Sequence, residues 1–243
     1  MITSGQFWEC ADQVHYNDPI IHVPPRGFVC DRVENSKSFF GSGKGNRDGF
    51  KAALYKHASN ISIKVLAIAG TQGLAMNDIM ADAKIGLHVM PNQASSAWKF
   101  YQSVVRENDE FVSIVGHSLG GALAQVLGYW CNRPFVTFNA PGMASVIGAA
   151  QWNFLKPDVM KRSREAKKNR KEGKATGINF RISRDLIGKF GKHVGNVIIL
   201  GQHPAFVQNH MDFERALKDG RLNTNQSLYD VDPFLLTDEH FEM

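Results

Sequence analysis

An α/β fold, with a mainly parallel sheet covered by helices on both faces, is the fold class this sequence predicts. Three observations lead there. Short apolar runs alternate with segments of helical spacing over residues 62–220. The runs are apolar throughout rather than alternating, as strands buried on both faces are. A glycine-rich turn, GHSLGG at 116–121, joins one such run directly to a small-residue helix. The length of 243 residues suits one domain with a single core over 1–243.

Residues 1–48 are a mixed lead-in with turn-rich patches at NDP, VPPRG and GSGKGNRDG. GFKAALYKH (49–57) reads as a strand or a short helix. SIKVLAIAG (62–70) reads as a buried strand ending at Gly70. Helical spacing of Ala97, Phe100, Tyr101, Val104 and Val105 predicts a helix over 93–108. FVSIV (111–115) is the next strand and ALAQVLGYW (122–130) the next helix. PFVTFNAPG (134–142), NFRISRD (179–185) and NVIIL (196–200) supply three more strands or strand ends. HMDFERALKDG (210–220) reads as a closing helix with a glycine stop.

Composition narrows the classes. No run of 18 apolar residues is present, so no transmembrane helix is expected. The start lacks a charged segment followed by an apolar one, so a cytoplasmic product without a secretory signal is expected, with export open only to a signal-independent route. Three scattered cysteines, Cys10, Cys30 and Cys131, make neither a disulfide framework nor a metal cluster. The net charge of +5 favours anionic partners weakly. Eight Lys or Arg fall within 161–174, inside a basic insertion over 150–176. They suit either a solvated helix face or an anionic lipid surface that a lid or membrane-contact segment would meet. Aromatic residues are not interleaved with them, which argues against nucleic acid. A second candidate lid, 73–95, carries Leu74, Met76, Ile79, Met80, Leu87, Val89 and Met90.

The turn at 116–120 has the pattern G-x-S-x-G. A serine hydroxyl attacks only when a base takes its proton, so it must stand clear of the sheet. A tight strand-to-helix turn does this, and it brings the residues two before and two after the serine into near contact. Gly116 and Gly120 fit that demand. The helix that follows offers its first N–H groups and its positive end to a developing oxyanion, with Leu119 N–H as one donor.

These residues carry a resemblance. GHSLGGALAQVLG resembles the nucleophile elbow of the class 3 (fungal-type) lipases, members of the α/β-hydrolase fold. VLAIAGTQG (65–73) resembles that family's A-F-R-G-T strand end, except that Ile68-Ala69 stand where Phe-Arg is usual. GFKAALYKH and NDIMADAKIG (77–86) are similar to bacterial lipase-like members, including phospholipase-type interbacterial toxins. The matching blocks span about residues 49–215.

The resemblance implies an ester hydrolase of acyl lipids, phospholipid first and acylglycerol second, working through an acyl-enzyme. It implies Ser118 as nucleophile, Thr71 as the second oxyanion donor, Asp185 as the acid and His210 as the base. His203 is the rival base; Asp158 and Asp212 are rival acids. His117 is expected to be structural, and His193 matches the family's non-catalytic histidine. No metal or organic cofactor is expected. The expected partners are a lipid ester, an anionic membrane surface and, if the chain is an effector, an immunity or inhibitor protein. Two alternatives remain at this stage: a non-catalytic lipid- or membrane-binding domain, and a thioesterase or peptidase on the same fold.

Overall fold

The computed structural model describes residues 1–16, 23–35, 50–70, 93–169, 176–201, 213 and 228–236. Seven strands form one sheet in strictly sequential order: β1 (Phe28–Asn35), β2 (Lys51–His57), β3 (Asn60–Ile68), β4 (Phe111–His117), β5 (Phe135–Phe138), β6 (Gly177–Ile182) and β7 (Asn196–Leu200). The first two pairings are antiparallel, and β3 through β7 run parallel. The segment that could be strand or helix is therefore a strand. Its side chains decide this. Ala52 and Leu54 pack on one face of the sheet, and Ala53 and Tyr55 on the other. A period of two with both faces apolar fits a covered strand and not a helix.

Among the described residues the helices are α1 (Ser4–Gln13), α2 (Gln93–Val104), α3 (Leu119–Cys131), α4 (Ala144–Ala150), α5 (Pro157–Asn169) and the single-turn α6 (Leu186–Lys189), and Phe213 is helical. Short 3-10 turns cover Val14–Tyr16, Leu228–Asp230 and Pro233–Leu235. A parallel sheet in sequential order with right-handed crossovers puts successive helices on the same face. Accordingly α2, α3, α4 and α5 bury their apolar sides with Leu66, Ile68, Ile114 and Phe135. The opposite face is covered by α1, by Leu228 and by Phe213, against Val65, Val115, Val136 and Phe138. A capping box fixes the start of α1: Thr3 Oγ1 accepts from Gln6 N–H, and Gln6 Oε1 accepts from Thr3 N–H.

The predicted helices at 93–108 and 122–130 are present as α2 and α3, and the strand at 196–200 is β7. The strand over 62–70 begins two residues earlier, because a two-residue turn pairs His57 with Asn60 and closes a hairpin. The closing helix over 210–220 lies outside the described residues apart from Phe213, as does the lid candidate 73–95 apart from its last three residues. No helix among the described residues is long and apolar enough to cross a membrane.

Candidate functional site

β4 ends at His117 and α3 begins at Leu119, which leaves Ser118 alone to reverse the chain. Ser118 does so with φ 54° and ψ −125°, a conformation that costs a non-glycine residue about 1–3 kcal/mol. Its hydroxyl does not cap the helix it precedes. Both flanking glycines are required by contact. A Cβ on Gly116 would stand 2.4 Å from the carbonyl carbon of Gly120, and one on Gly120 would stand 2.1 Å from the oxygen of Ile68. Ser118 N–H donates to Phe138 O at 3.0 Å, which ties the turn to the end of β5. Ser118 is 8 % exposed, so its surroundings are protein more than water.

The neighbouring strand ends are held by buried amides. Asn139, at φ 45°, donates its N–H to Phe180 O and accepts from Ile182 N–H through Oδ1. Asn179 accepts from Thr137 Oγ1 at 2.7 Å and donates to Val194 O and Asn196 O. Gln125, wholly buried on α3, donates to Pro141 O and accepts from Met143 N–H and Val194 N–H. Each amide joins two or three segments, and a buried polar group satisfied this fully specifies one arrangement.

Asp185 follows the end of β6 by three residues and caps α6, where Oδ2 accepts from Gly188 N–H. Its carboxylate is 2 % exposed. Ser118 and Asp185 thus both lie beyond the carboxyl ends of parallel strands, two strands apart in the sheet. That is the end at which open α/β sheets hold ligands.

One contributor was missed in the sequence. His15 Nε2 accepts from Gly70 N–H at 3.0 Å, and His15 Nδ1 is 3.3 Å from Asp12 O. The first contact needs an unprotonated Nε2, so the ring carries its proton on Nδ1 and donates it to Asp12 O. Burial lowers the pKa of His15 below the ordinary histidine value; the Asp12 carbonyl and carboxylate and the Ala11 carbonyl oppose this, and Lys51 adds to it. His15 lies 6.2 Å from the His117 ring, and Trp8 stands edge-on to His117 at 5.4 Å. Trp8 also meets Phe213 at 5.4 Å, and Phe213 meets Phe138 at 5.0 Å. The only sequence signal was the Thr3–Gln6 capping pattern, which marks a helix but not where it docks.

Of the candidate residues, Ser118, Leu119 and Asp185 are described and placed as above. Thr71, His210 and the rival base His203 lie outside the described residues, as does the rival acid Asp212. Asp158 sits on the exposed first turn of α5, 3.8 Å from Arg162. His117 is buried, with the rings of Trp8 and His15 beside it. His193 Nε2 is 2.9 Å from Ala140 O, and burial lowers its pKa. The basic run occupies α5 through Lys168; Arg170, Lys171 and Lys174 lie beyond the described residues.

The sequence profile of the Tle-like phospholipase domain, in the phospholipase-like group, matches residues 11–187. A relative, the uncharacterized protein RP165 of Rickettsia prowazekii (strain Madrid E), is 34% identical over 112 residues. That match covers 41% of this chain and 30% of RP165, so the chain spans less than a third of that relative's length. Among solved structures, the capsule O-acetyltransferase of Neisseria meningitidis serogroup A in complex with caged gadolinium is similar with a TM-score of 0.32 and 12% identity. The likeness covers 70% of this chain and 91% of that one. The profile match runs from α1 to α6 and takes in both Ser118 and Asp185. This chain belongs to the Tle-like phospholipase domain family.

Proposed function

We propose that this chain is a serine hydrolase of lipid esters, with phospholipid as first substrate and acylglycerol as second. The single observation that carries the reading is the turn at Ser118: a serine held at positive φ between two glycines that tolerate no Cβ, at the carboxyl end of a buried parallel strand. A chain keeps such strain where a side chain must be presented and not merely where a strand must turn.

In this reading His210 takes the Ser118 proton as Oγ attacks the ester carbonyl. The tetrahedral oxyanion is held by Leu119 N–H, at the positive end of α3, and by Thr71. The intermediate collapses, the C–O bond to the leaving alcohol breaks, and His210 returns the proton to that alcohol. Water then gives its proton to His210 and attacks the acyl carbonyl; the bond from that carbon to Ser118 Oγ breaks, His210 returns the proton to Oγ, and the fatty acid leaves. Asp185 orients His210 and stabilises the imidazolium. These steps call on no metal or organic cofactor. Phe213 supports the choice of base. It is buried against Trp8, which abuts His117, and His210 is three residues away, a reach of about 10 Å at most.

His15 has a supporting part. By accepting from Gly70 N–H it fixes the backbone immediately before Thr71. The basic face of α5 suits an anionic membrane surface. Activity as a membrane-directed effector, with an immunity or inhibitor protein as partner, fits the family. A single domain over 1–243 accommodates all these parts.

The test is covalent labelling by a fluorophosphonate, followed by a lipid panel with mass-spectrometric detection of products. Labelling that Ser118→Ala abolishes, with release of fatty acid from phospholipid, is the expected result. A folded protein that neither labels nor releases any acyl product would return the chain to a lipid-binding role.

A further inference from the structure

Between α4 and α5, Trp152, Phe154 and Leu155 are exposed to 68, 71 and 95 %. Three large apolar side chains within four residues of one turn stand apart from the usual scatter of single exposed apolar residues. The backbone beneath them is bonded within the turn: Trp152 N–H to Ala149 O, Asn153 N–H to Ala150 O, Phe154 N–H to Trp152 O and Lys156 N–H to Asn153 O. With these four N–H groups paired, Leu155 N–H is the one backbone donor of the 152–156 stretch left to water or a headgroup oxygen, so the turn can enter the headgroup region at small cost in stranded donors. It is also fastened to α5. Arg164 Nε donates to Gln151 O at 2.7 Å, and the Arg164 guanidinium lies 5.2 Å from the Trp152 ring centroid.

The helix behind this turn is cationic on its free side. α5 buries Val159, Ser163 and Ala166 and exposes Lys161, Arg164 and Lys168, which share one face at i, i+3 and i+7. Residues 156–168 hold six cations against two carboxylates. An aromatic and aliphatic tip beside a lysine and arginine face matches an anionic bilayer, with apolar side chains below the headgroups and cations among them.

We propose that Trp152, Phe154 and Leu155 form a membrane-inserting tip that seats the protein on anionic bilayers, with Lys161, Arg164 and Lys168 against the headgroups. This rests on the reading of the chain as a lipid ester hydrolase, whose substrate lies in such a bilayer. The tip supplies the salt-insensitive part of binding, and the α5 face the salt-sensitive part.

The experiment uses the full chain carrying Ser118→Ala, so that no lipid is consumed. Vesicles of phosphatidylcholine, with or without phosphatidylglycerol, are titrated at low and high salt and binding is read by co-sedimentation. Vesicles containing brominated phosphatidylcholine then report depth by quenching of tryptophan fluorescence. Trp8 and Trp130 are buried and Trp98 is partly buried, so Trp152 is the tryptophan open to quenching.

Quenching of the bound protein is expected, and Trp152→Ser should remove it. Replacing Trp152, Phe154 and Leu155 together by serine should weaken binding more than tenfold at either salt concentration. Lys161→Ala and Lys168→Ala should each weaken binding to phosphatidylglycerol vesicles about fivefold at low salt, and less at high salt. Bound protein without Trp152 quenching would overturn the proposal with no variant needed, and would leave the tip as a contact for another protein. Vesicle binding through the tip, in a protein whose wild type releases no acyl product, would instead sink the hydrolase reading and leave the tip standing.

Discussion

The turn around Ser118 and the turn around Phe154 both lead into a 13-residue helix, and they are built on opposite principles. At the first, a backbone-to-backbone approach excludes even a methyl group, and the main chain is tied to a neighbouring strand. At the second, the backbone hydrogen bonds are local, one side-chain bond from Arg164 reaches Gln151 O, and three large apolar side chains face water. The first turn is therefore specified atom by atom, and most substitutions in it should be felt. The second is specified only by chemical character, and its substitutions should be silent in stability and in soluble-substrate turnover.

The sharpest way to break that contrast is turnover of a short soluble p-nitrophenyl ester. Ser118→Ala should lower it by about 10⁴–10⁶-fold with the melting temperature unchanged. His210→Ala should cost about as much, and the double variant should be little worse than either, as the proposed triad requires. His203→Ala should cost little. Serine at 152, 154 and 155 should leave the same assay at wild-type rate. A folded, fully active Ser118→Ala protein would end the nucleophile assignment.

Asp185→Asn comes next. Asparagine can still accept from Gly188 N–H, so the cap on α6 and the fold should survive. Turnover should fall by about 10³–10⁴-fold if the charge sets the histidine tautomer. A drop below tenfold would mean that the carboxylate is only a cap.

In stability, Gly120→Ala should cost about 4 kcal/mol or more, since its Cβ would lie within contact of Ile68 O, Ala69 C and Gly70 N. Leu155→Ser, at 95 % exposure, should stay within about 0.5 kcal/mol. Chemical denaturation of the two variants reads the contrast directly, and equal costs would erase it.

How much of this was legible in the sequence follows the same division. The strand-to-helix turn showed itself because its demand is local: two glycines and a serine within five residues. The parallel strands showed because burial on both faces leaves continuous apolar runs. What did not show was the return of α1 to the strand ends. His15 is 55 residues from Gly70, and nothing in its neighbourhood announces that its ring will meet that N–H. Gln125, Asn139 and Asn179 were equally silent, because an amide's partners are set by the fold and not by its neighbours in the chain. The exposed tip was hidden for a different reason: nothing in the sequence tells whether Trp152, Phe154 and Leu155 face the core or water.

His15 offers a smaller test of the long-range part. His15→Ala leaves Gly70 N–H without its acceptor and should cost about 1–3 kcal/mol. His15→Gln can present an oxygen where Nε2 stood and should recover much of that loss. If Gly70 matters through its neighbour Thr71, alanine should also lower kcat on the soluble ester with KM little changed, and glutamine should restore it. Equal stability and kcat in both variants and wild type would leave His15 as packing alone.

The smallest effect is the pH dependence, and its sign follows from burial. His15 and His193 both have folded pKa values below the ordinary histidine value of about 6.5, chiefly because burial disfavours their charged forms. Well above pH 6.5 both rings are neutral whether folded or not, and neither shift affects stability. Below it the unfolded chain takes up protons that the folded chain refuses, so stability falls as pH drops from about 6.5 toward the lowered folded values. Each ring contributes at most about 1.4 kcal/mol per pH unit within that window. The loss then levels off once the folded state also protonates. In His15 that protonation would strike the ring nitrogen that accepts from Gly70 N–H, so the last part of the window should also loosen the strand end beside the turn. Urea denaturation from pH 7.5 to 5 should show this decline in the wild type, a shallower one in His15→Gln and in His193→Gln, and the shallowest when both are changed. A slope that these substitutions leave unaltered would assign the dependence to other groups, and would separate the proton-linked stability of the molecule from the strand ends that surround Ser118.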